Sequence, residues 1–165
     1  MRLLFTLDEK DYGEDFPVIQ KKAVRAVIKK DGLIATQRSA AGEYKLPGGG
    51  MEPGESEIQA LAREVREETG LIIRPETVRG IGEILELRED IFEKGKKYEA
   101  HSYYYSVEVT GEEVPLSMTD SEIAAGYHLA WEKPEVIIAE NERIMDTKWK
   151  LRDTRFLKFL EKERP

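Results

Sequence analysis

The chain has 165 residues, with 26 Lys and Arg against 33 Asp and Glu, which gives a formal net charge of −7 at pH 7. This acidic balance argues against a protein that grips nucleic acid through its phosphates, because such binding needs a clustered basic face. The lack of cysteine excludes thiol catalysis, disulfides and cysteine-ligated metals.

Length and composition also predict the organisation of the chain. With 40% hydrophobic residues, it can bury a core of its own, and we expect one domain over residues 1–165 with residues 1–20 as an N-terminal extension. No apolar run approaches the roughly 20 residues of a membrane span. The first segment turns acidic after seven residues, so we expect no signal peptide and a cytoplasmic protein.

Short strands and a glycine loop are predicted in the first third of the chain. Residues 3–7 alternate between apolar and polar like a strand. Two β-type runs, 23–28 and 33–36, flank the pair Asp31–Gly32, which is the pattern of a hairpin. The stretch 46–50, Leu-Pro-Gly-Gly-Gly, fits no regular element and predicts a loop.

The clearest helix follows this loop. Ser56 with Gln59 forms the pattern of a capping box, and Gly70 supplies a stop. We therefore predict a helix over 56–69. Its apolar positions recur at helical spacing and are expected to face the core: Ile58, Leu61, Ala62 and Val65.

The remainder alternates between strands and helices. Strands are predicted at 71–73, 79–87, 98–109 and 128–131, a charged hairpin tip at 89–97, and a loop or single turn at 120–126. A short helix introduced by Pro134 covers 135–139, and an amphipathic helix covers 147–163. This order predicts an α/β fold with a mixed β-sheet flanked by helices.

Three acids on the first helix form a pattern that folding does not require. Glu64, Glu67 and Glu68 lie at i, i+3 and i+4, so one helix face presents three carboxylates. Like charges at this spacing destabilise a helix slightly. A hard divalent cation such as Mg²⁺ would offset that repulsion, and a carbonyl of the glycine loop could complete its shell. A simply solvated helix face is the alternative interpretation.

The wider spacing identifies a family. From Gly49 to Leu71 the sequence reads G-x5-E-x7-R-E-U-x-E-E-x-G-U, where U is aliphatic, and every defined position is matched. In this segment the chain resembles the Nudix hydrolases. The resemblance implies an α/β/α sandwich and metal-dependent hydrolysis of a nucleoside diphosphate linked to another moiety.

The resemblance also assigns roles to residues of this segment, Gly49 to Leu71, which we call the box. Glu64, Glu67 and Glu68 match the family's metal-ligating carboxylates, and Gly49 matches its carbonyl ligand, for Mg²⁺ or Mn²⁺. Glu55 and Arg63 match a pair that braces the loop against the helix and complete the predicted catalytic set.

The group that accepts the proton of the attacking water is left open by the sequence. Family members use either a box glutamate, here Glu67 or Glu68, or an acid from a distant loop. Asp120 and Glu122 lie about where MutT-type members place such an acid. Three other acids compete with them: Glu89, Glu93 and Glu99.

Substrate contacts are predicted outside the helix. Arg38, at a strand end, resembles the family arginine that contacts substrate. Asn141 stands in an Asn-Glu context like that of the purine-reading residue of MutT-type enzymes, and its amide can both donate and accept. Gly48 and Gly49 allow the backbone to approach a ligand. Residues 103–105, three tyrosines, could stack on a base or pack in the core.

The first choice of activity is a MutT-type nucleoside triphosphate pyrophosphohydrolase, acting on nucleotides such as oxidised dGTP and releasing a nucleoside monophosphate and pyrophosphate. The alternatives are an ADP-ribose or nucleotide-sugar pyrophosphatase and a Nudix-fold module that binds a nucleotide without cleaving it. We expect a small nucleotide as partner, neither nucleic acid nor membrane, and a monomer or homodimer.

Overall fold

The computed structural model of the protein describes residues 1–163, so the last two residues of the predicted domain lie outside the described part. Eleven strands and four helices occur in this part. The strands are β1 (Leu3–Asp8), β2 (Val18–Val27), β3 (Lys29–Lys30), β4 (Leu33–Arg38), β5 (Tyr44–Lys45), β6 (Gly48–Gly50), β7 (Leu71–Ile73), β8 (Arg79–Glu89), β9 (Lys97–Ser106), β10 (Val109–Glu113) and β11 (His128–Glu132). The helices are α1 (Glu57–Thr69), α2 (Asp120–Ala124), α3 (Pro134–Ile144) and α4 (Arg152–Lys162).

The main sheet is mixed and has the strand order β1-β8-β9-β2-β6. Strand β1 runs parallel to β8, and β9 runs parallel to β2, whereas the β8–β9 and β2–β6 pairs are antiparallel. A second sheet has the order β11-β4-β3, with β5 added to β4, and β10 pairs with β7. Strand β2 is therefore fixed on both sides, by β9 and by the glycine strand β6.

Helices cover both faces of the main sheet. Because successive side chains of a strand point to opposite faces, Tyr105 packs with α1 in one core cluster and Tyr104 packs with α3 and α4 in the other. The ring of Tyr104 stacks on Phe156 of α4 with 3.8 Å between centroids. The predicted α/β/α arrangement around a mixed sheet is confirmed.

Helix α1 begins and ends as its sequence predicts. The Ser56 hydroxyl accepts a hydrogen bond from the Gln59 N–H at 3.2 Å, and the Gln59 side chain accepts one from the Ser56 N–H at 2.9 Å. Gly70 ends the helix in the left-handed conformation, with φ of 74°. These two caps fix the length of the helix and hence which of its acids share a face.

The predicted hairpin is also present. Asp31 and Gly32 both have positive φ, 51° and 78°, as a tight turn between β3 and β4 requires. By contrast, the predicted strand 98–109 ends at Ser106, and the chain then enters β10 beside β7. Local β-propensity does not register this change of pairing partner.

The C-terminal helices differ most from expectation. Helix α3 continues to Ile144, and α4 begins at Arg152 rather than at residue 147, because residues 147–151 form turns. Trp149 consequently lies before α4, with its ring centre 5.1 Å from the guanidinium carbon of Arg88. Within residues 1–163, none of the helices has the length and apolarity needed to cross a bilayer.

Asn141 of α3 is bonded within the fold, a position that does not support its predicted role as a purine reader. Its carbonyl oxygen accepts from the Tyr44 N–H at 2.9 Å, and its amide group donates to the Tyr44 carbonyl at 2.8 Å and to the Thr154 hydroxyl at 3.0 Å. The side chain is buried and both amide hydrogens are used. Asn141 therefore joins β5 to α3 and α4, and a base has no donor to read there.

Candidate active site

The glycine strand lies directly on the acidic face of α1. The Gly48 N–H donates to the Glu68 carboxylate (Oε2) at 2.8 Å, and the Glu68 side chain is only 3% exposed. A side chain at position 48 has no room, since a Cβ there would lie 2.0 Å from the Val24 carbonyl oxygen. Glycine therefore lets β6 pair closely with β2 while its amide reaches the buried carboxylate.

Arg63 joins the loop before α1 to the helix itself. Its Nε and Nη2 donate to the two oxygens of Glu55 at 2.7 and 3.0 Å, and Nη2 also donates to the Gly50 carbonyl at 3.0 Å. Its Nη1 donates to Glu64 at 2.7 Å and to Glu67 at 3.4 Å. One guanidinium thus orients two of the three box acids from the loop side, as a planar five-donor group can.

Gly49 brings the backbone against the next acid. A Cβ at this position would lie 2.6 Å from the carboxylate atoms of Glu64. The absence of a side chain therefore leaves room for that carboxylate beside the loop, which suits a ligand shared by carboxylate and backbone oxygens.

A fourth acid reaches the same place from α2. The Thr119 N–H donates to the Glu122 carboxylate (Oε2) at 2.9 Å, and the Glu122 N–H donates back to the Thr119 hydroxyl at 3.4 Å, which forms a capping box. The other carboxylate oxygen of Glu122 lies 3.5 Å from Lys45 Nζ. Asp120, on the same helix, is exposed and does not line this region.

These groups enclose a cleft of about 440 Å³, which we call the acidic cleft. Its lining includes the three glycines of β6, the four helical acids Glu64, Glu67, Glu68 and Glu122, the exposed Glu52, and the cations Arg25, Lys45 and Arg63. Of the two acids predicted from the 120–126 segment, Glu122 therefore lies in the same cleft as the box acids, and Asp120 does not.

Two cations of the cleft were missed by the sequence analysis. Arg25 donates to the Gly48 carbonyl oxygen, a contact that follows from the register in which Arg25 faces Gly48 across β2 and β6. Lys45 bridges Glu68 and Glu122, with its Nζ 3.5 Å from each. Both residues depend on strand pairing, which the sequence does not reveal; the one local signal overlooked was the capping box Thr119-x-x-Glu122.

Arg38 is not brought to the cleft. Its guanidinium carbon lies 5.1 Å from the centre of the Tyr44 ring, and Arg38 is outside the lining of the acidic cleft. The register of β4 with β11 pairs Arg38 with His128 instead. Its predicted contact with substrate is therefore not supported by this placement.

The competing acids and the tyrosines also lie elsewhere. Glu89 pairs with Lys94, Glu93 pairs with Lys96, and Glu99 accepts from Gln20. Tyr104 and Tyr105 are core residues on opposite faces of the sheet, as the structural alternative at 103–105 anticipated. A base could stack on neither ring without opening the core.

Burial and neighbouring charges set the proton affinities in the cleft. Burial raises the pKa of Glu68 to about 7, and it also raises the pKa of Glu64. The hydrogen bond from Arg63 lowers the pKa of Glu55. Partial burial raises the pKa of Glu122, but the Thr119 N–H and the Lys45 charge outweigh it, so that pKa lies below its ordinary value.

The donor set fits a hard divalent cation. Every candidate ligand in the acidic cleft is an oxygen, either a carboxylate of the four acids or a backbone carbonyl of β6, and such cations prefer oxygen ligands. Across residues 1–163, no three acidic or histidine side chains already converge as a ready-made metal site. Arg63 and Lys45 account for this, because each holds its carboxylates toward itself.

We expect Gly49→Ala to weaken Mg²⁺ binding by about 10-fold or more, in the range seen when the surroundings of metal ligands are altered. The added Cβ would collide with the Glu64 carboxylate, whereas a Cβ at Gly50 meets no atom within 4 Å. Isothermal titration of both variants with Mg²⁺ provides the measurement, with Gly50→Ala as the matched control. Equal losses in the two variants would contradict the placement of Glu64.

The raised pKa of Glu68 predicts a pH-dependent cost in the metal-free protein. Folding holds the Glu68 proton more tightly than the unfolded chain does, so stability falls as the pH rises from about 4.5 to 7. A difference of this size corresponds to about 3 kcal/mol. Glu68→Gln should remove the loss, measured by urea unfolding in EDTA at pH 4.5 and pH 8.

Glu55→Gln is the control, since the lowered pKa of Glu55 gives the opposite sign: its stabilisation is present above the ordinary pKa and is lost as the pH falls. If wild type and Glu68→Gln keep the same difference in stability at both pH values, Glu68 is not buried as described.

The comparisons with known proteins agree with this geometry. A family model described as NUDIX domain matches residues 20–154. The nucleoside triphosphatase NudI of Salmonella schwarzengrund is 32% identical over 127 residues, covering 70% of this chain and 84% of that protein. The human 8-oxo-dGDP phosphatase NUDT18 is 49% identical over 76 residues, covering 41% of this chain and 24% of that protein. This chain therefore spans about a quarter of the length of the human relative.

Among solved structures, a NUDIX hydrolase from Nitrosomonas europaea superimposes with a TM-score of 0.60 at 25% identity, over 89% of this chain and 93% of that one. The residues matched by the family model include the whole box, from Gly49 to Leu71, and the segment that carries Glu122. By its sequence and its fold, the chain belongs to the Nudix family.

Proposed function

We propose that this protein is a hydrolase that uses Mg²⁺ or Mn²⁺ to cleave the pyrophosphate bond of a nucleotide, with nucleoside triphosphates as its main substrates. One observation carries the proposal: Glu64, Glu67, Glu68 and Glu122 line a single cleft beside the glycine strand. A module that merely bound nucleotides would have no need to retain all of these acids.

Within this proposal the box residues divide into ligands and positioning residues. Glu64, Glu67, Glu68 and the Gly49 carbonyl would hold the dication, which when bound would neutralise charge on the phosphate oxygens and lower the pKa of a water molecule. Arg63 orients Glu64 and Glu67, and Glu55 holds Arg63 in place by its two short hydrogen bonds. Arg63 and Glu55 would therefore act on the substrate only through the carboxylates that Arg63 aligns.

Glu122 is our candidate for the general base. It lies in the acidic cleft while remaining 20% exposed, and its lowered pKa keeps it ionised at neutral pH. One of its oxygens is fixed by the Thr119 N–H, so the other, which lies 3.5 Å from Lys45 Nζ, has a defined direction. Water that attacks phosphorus would pass its proton to this oxygen as the bond to the leaving pyrophosphate breaks.

The charge of a neighbouring groove favours an anionic leaving group. A cleft of about 720 Å³, here the basic cleft, is lined by Lys21, Lys22, Arg25 and Arg152 against one acid, Glu52. It shares Arg25, Gly50 and Glu52 with the acidic cleft. A pyrophosphate released there would meet these cations with both of its phosphates, whereas a nucleotide sugar would release a sugar phosphate with only one.

A second groove suits the nucleoside. A cavity of about 380 Å³, here the aromatic cavity, is lined by Tyr44, Tyr127, Met145 and Trp149 and adjoins the acidic cleft at Arg25 and Lys45. Flat aromatic rings are suited to stacking on a base. The similarity to an 8-oxo-dGDP phosphatase and a nucleoside triphosphatase supports oxidised purine nucleotides as the first group to test.

The activity is tested with the purified chain and Mg²⁺ on a panel of oxidised and ordinary nucleoside di- and triphosphates, ADP-ribose and nucleotide sugars. We expect the highest kcat/KM on a triphosphate, with monophosphate and pyrophosphate as products, and loss of turnover in EDTA. Glu67→Gln should lower kcat by orders of magnitude without changing the thermal midpoint much, because Glu67 is 37% exposed. Activity that persists fully in EDTA would refute the proposal.

Glu122→Gln should lower kcat by about 100-fold, the usual contribution of a general base, with little change in KM. Asp120→Asn, two residues earlier on the same short helix, is the matched control and should leave kcat within about 2-fold because Asp120 is exposed and outside the cleft. Single-turnover kinetics with Mg²⁺ in excess separate the proton step from metal binding. Equal rates for the two variants would assign the base to a box glutamate.

A further inference from the structure

Lys45 has a position to which the proposed function assigns no contact with the metal or the substrate. Its side chain is 30% exposed, and its Nζ lies 3.5 Å from Glu68 Oε1 and 3.5 Å from Glu122 Oε1. The same atom lies 4.3 Å from the centre of the Tyr127 ring. Lys45 thus places a positive charge between a predicted metal ligand and the predicted base.

The three cations of the acidic cleft are held very differently. Arg63 makes short hydrogen bonds to Glu55 and Glu64, and Arg25 donates to the Gly48 carbonyl. Lys45 is held by two longer ion pairs and by the face of one ring. Because lysine is a compact charge on a flexible stem, Lys45 is the cation of this group that can most easily change partner.

Charge and position together define what Lys45 would do. A dication bound to Glu64, Glu67 and Glu68 would lie beside the ammonium group and be repelled by it. Lys45 and Arg25 also line both the acidic cleft and the aromatic cavity. A nucleotide whose base lies in the cavity and whose phosphates reach the acids must therefore pass the Lys45 ammonium.

We propose that Lys45 is a positioning residue that couples the binding of the metal to the binding of the nucleotide. In the protein without nucleotide, its charge opposes the dication at Glu68. When a phosphate of the nucleotide lies between the acidic cleft and the aromatic cavity, the ammonium turns to that phosphate, and the metal binds more tightly. This inference rests on the proposed function, since it requires that the acidic cleft binds both partners.

The coupling makes two predictions of opposite sign for Lys45→Met. Without nucleotide, removal of the ammonium should tighten Mg²⁺ binding by about 5-fold or more, whereas the further tightening caused by nucleotide should shrink from about 10-fold toward none. A structural role alone would weaken both. Lys45→Arg keeps the charge and should retain the weak Mg²⁺ affinity of the wild type.

The measurement is isothermal titration of Mg²⁺ into the full chain, alone and with the α,β-methylene analogue of GTP, at pH 8.5 where proton competition is small. Lys94→Met is the control, since it removes one positive charge far from the cleft, where Lys94 pairs with Glu89. Lys45→Gln provides a second neutral variant, and circular dichroism checks the folding of each.

Unchanged or weaker Mg²⁺ binding by folded Lys45→Met and Lys45→Gln would overturn the role of Lys45 and leave the proposed function standing. Undetectable Mg²⁺ binding by the wild type, alone and with the analogue, would instead refute the proposed function. Expected, and in favour of the coupling, is tighter binding by both neutral variants with the nucleotide effect lost.

Discussion

The guanidinium of Arg63 links the loop before α1 and the end of β6 to the acidic face of the helix. Glu55 and Gly50 belong to the loop, whereas Glu64 and Glu67 belong to the helix, and all four accept hydrogen bonds from Arg63. Because a planar fork fixes the directions of its donors, the loop and the helix cannot slide independently. The alignment of Glu64 and Glu67 with β6 depends on this one side chain, whereas the Gly48 N–H holds Glu68.

Next to these residues lies a carboxylate whose charged form is unfavourable in the folded, metal-free protein. Glu68 is buried under Gly48, and its pKa is raised to about 7 because burial disfavours the charged form. Removing the carboxylate would make the metal-free chain more stable at high pH. A carboxylate that lowers stability in this way is consistent with the proposed role as a metal ligand, since stability and activity often conflict at such positions.

Local sequence patterns predicted the parts of the site that lie within one helix and its flanking loop. The caps at Ser56 and Gly70 and the face shared by the box acids follow from helical periodicity alone. The same reasoning could not find Arg25 or Lys45, because their positions depend on which strand pairs with which. The choice between Glu122 and Asp120 required the structure, in which the capping contact with Thr119 fixes the Glu122 side chain.

Asn141 shows the same limit from the other side. The local sequence around a polar residue is the same whether its side chain contacts a ligand or another part of the protein. Here the amide is used by the Tyr44 backbone and by Thr154, partners 97 and 13 residues away. A contact across that separation is set by the packing of α3 and α4, which no local pattern encodes.

Part of the wall of the aromatic cavity comes from connecting segments rather than from strands or helices. Met145 and Trp149 lie between α3 and α4, and Tyr127 lies between α2 and β11, so all three are outside the regular elements. Connecting segments tolerate substitution better than the strands and helices that they join. Under the proposed function, selection could therefore exchange one base preference for another by altering these segments, while the residues of the acidic cleft are inherited intact.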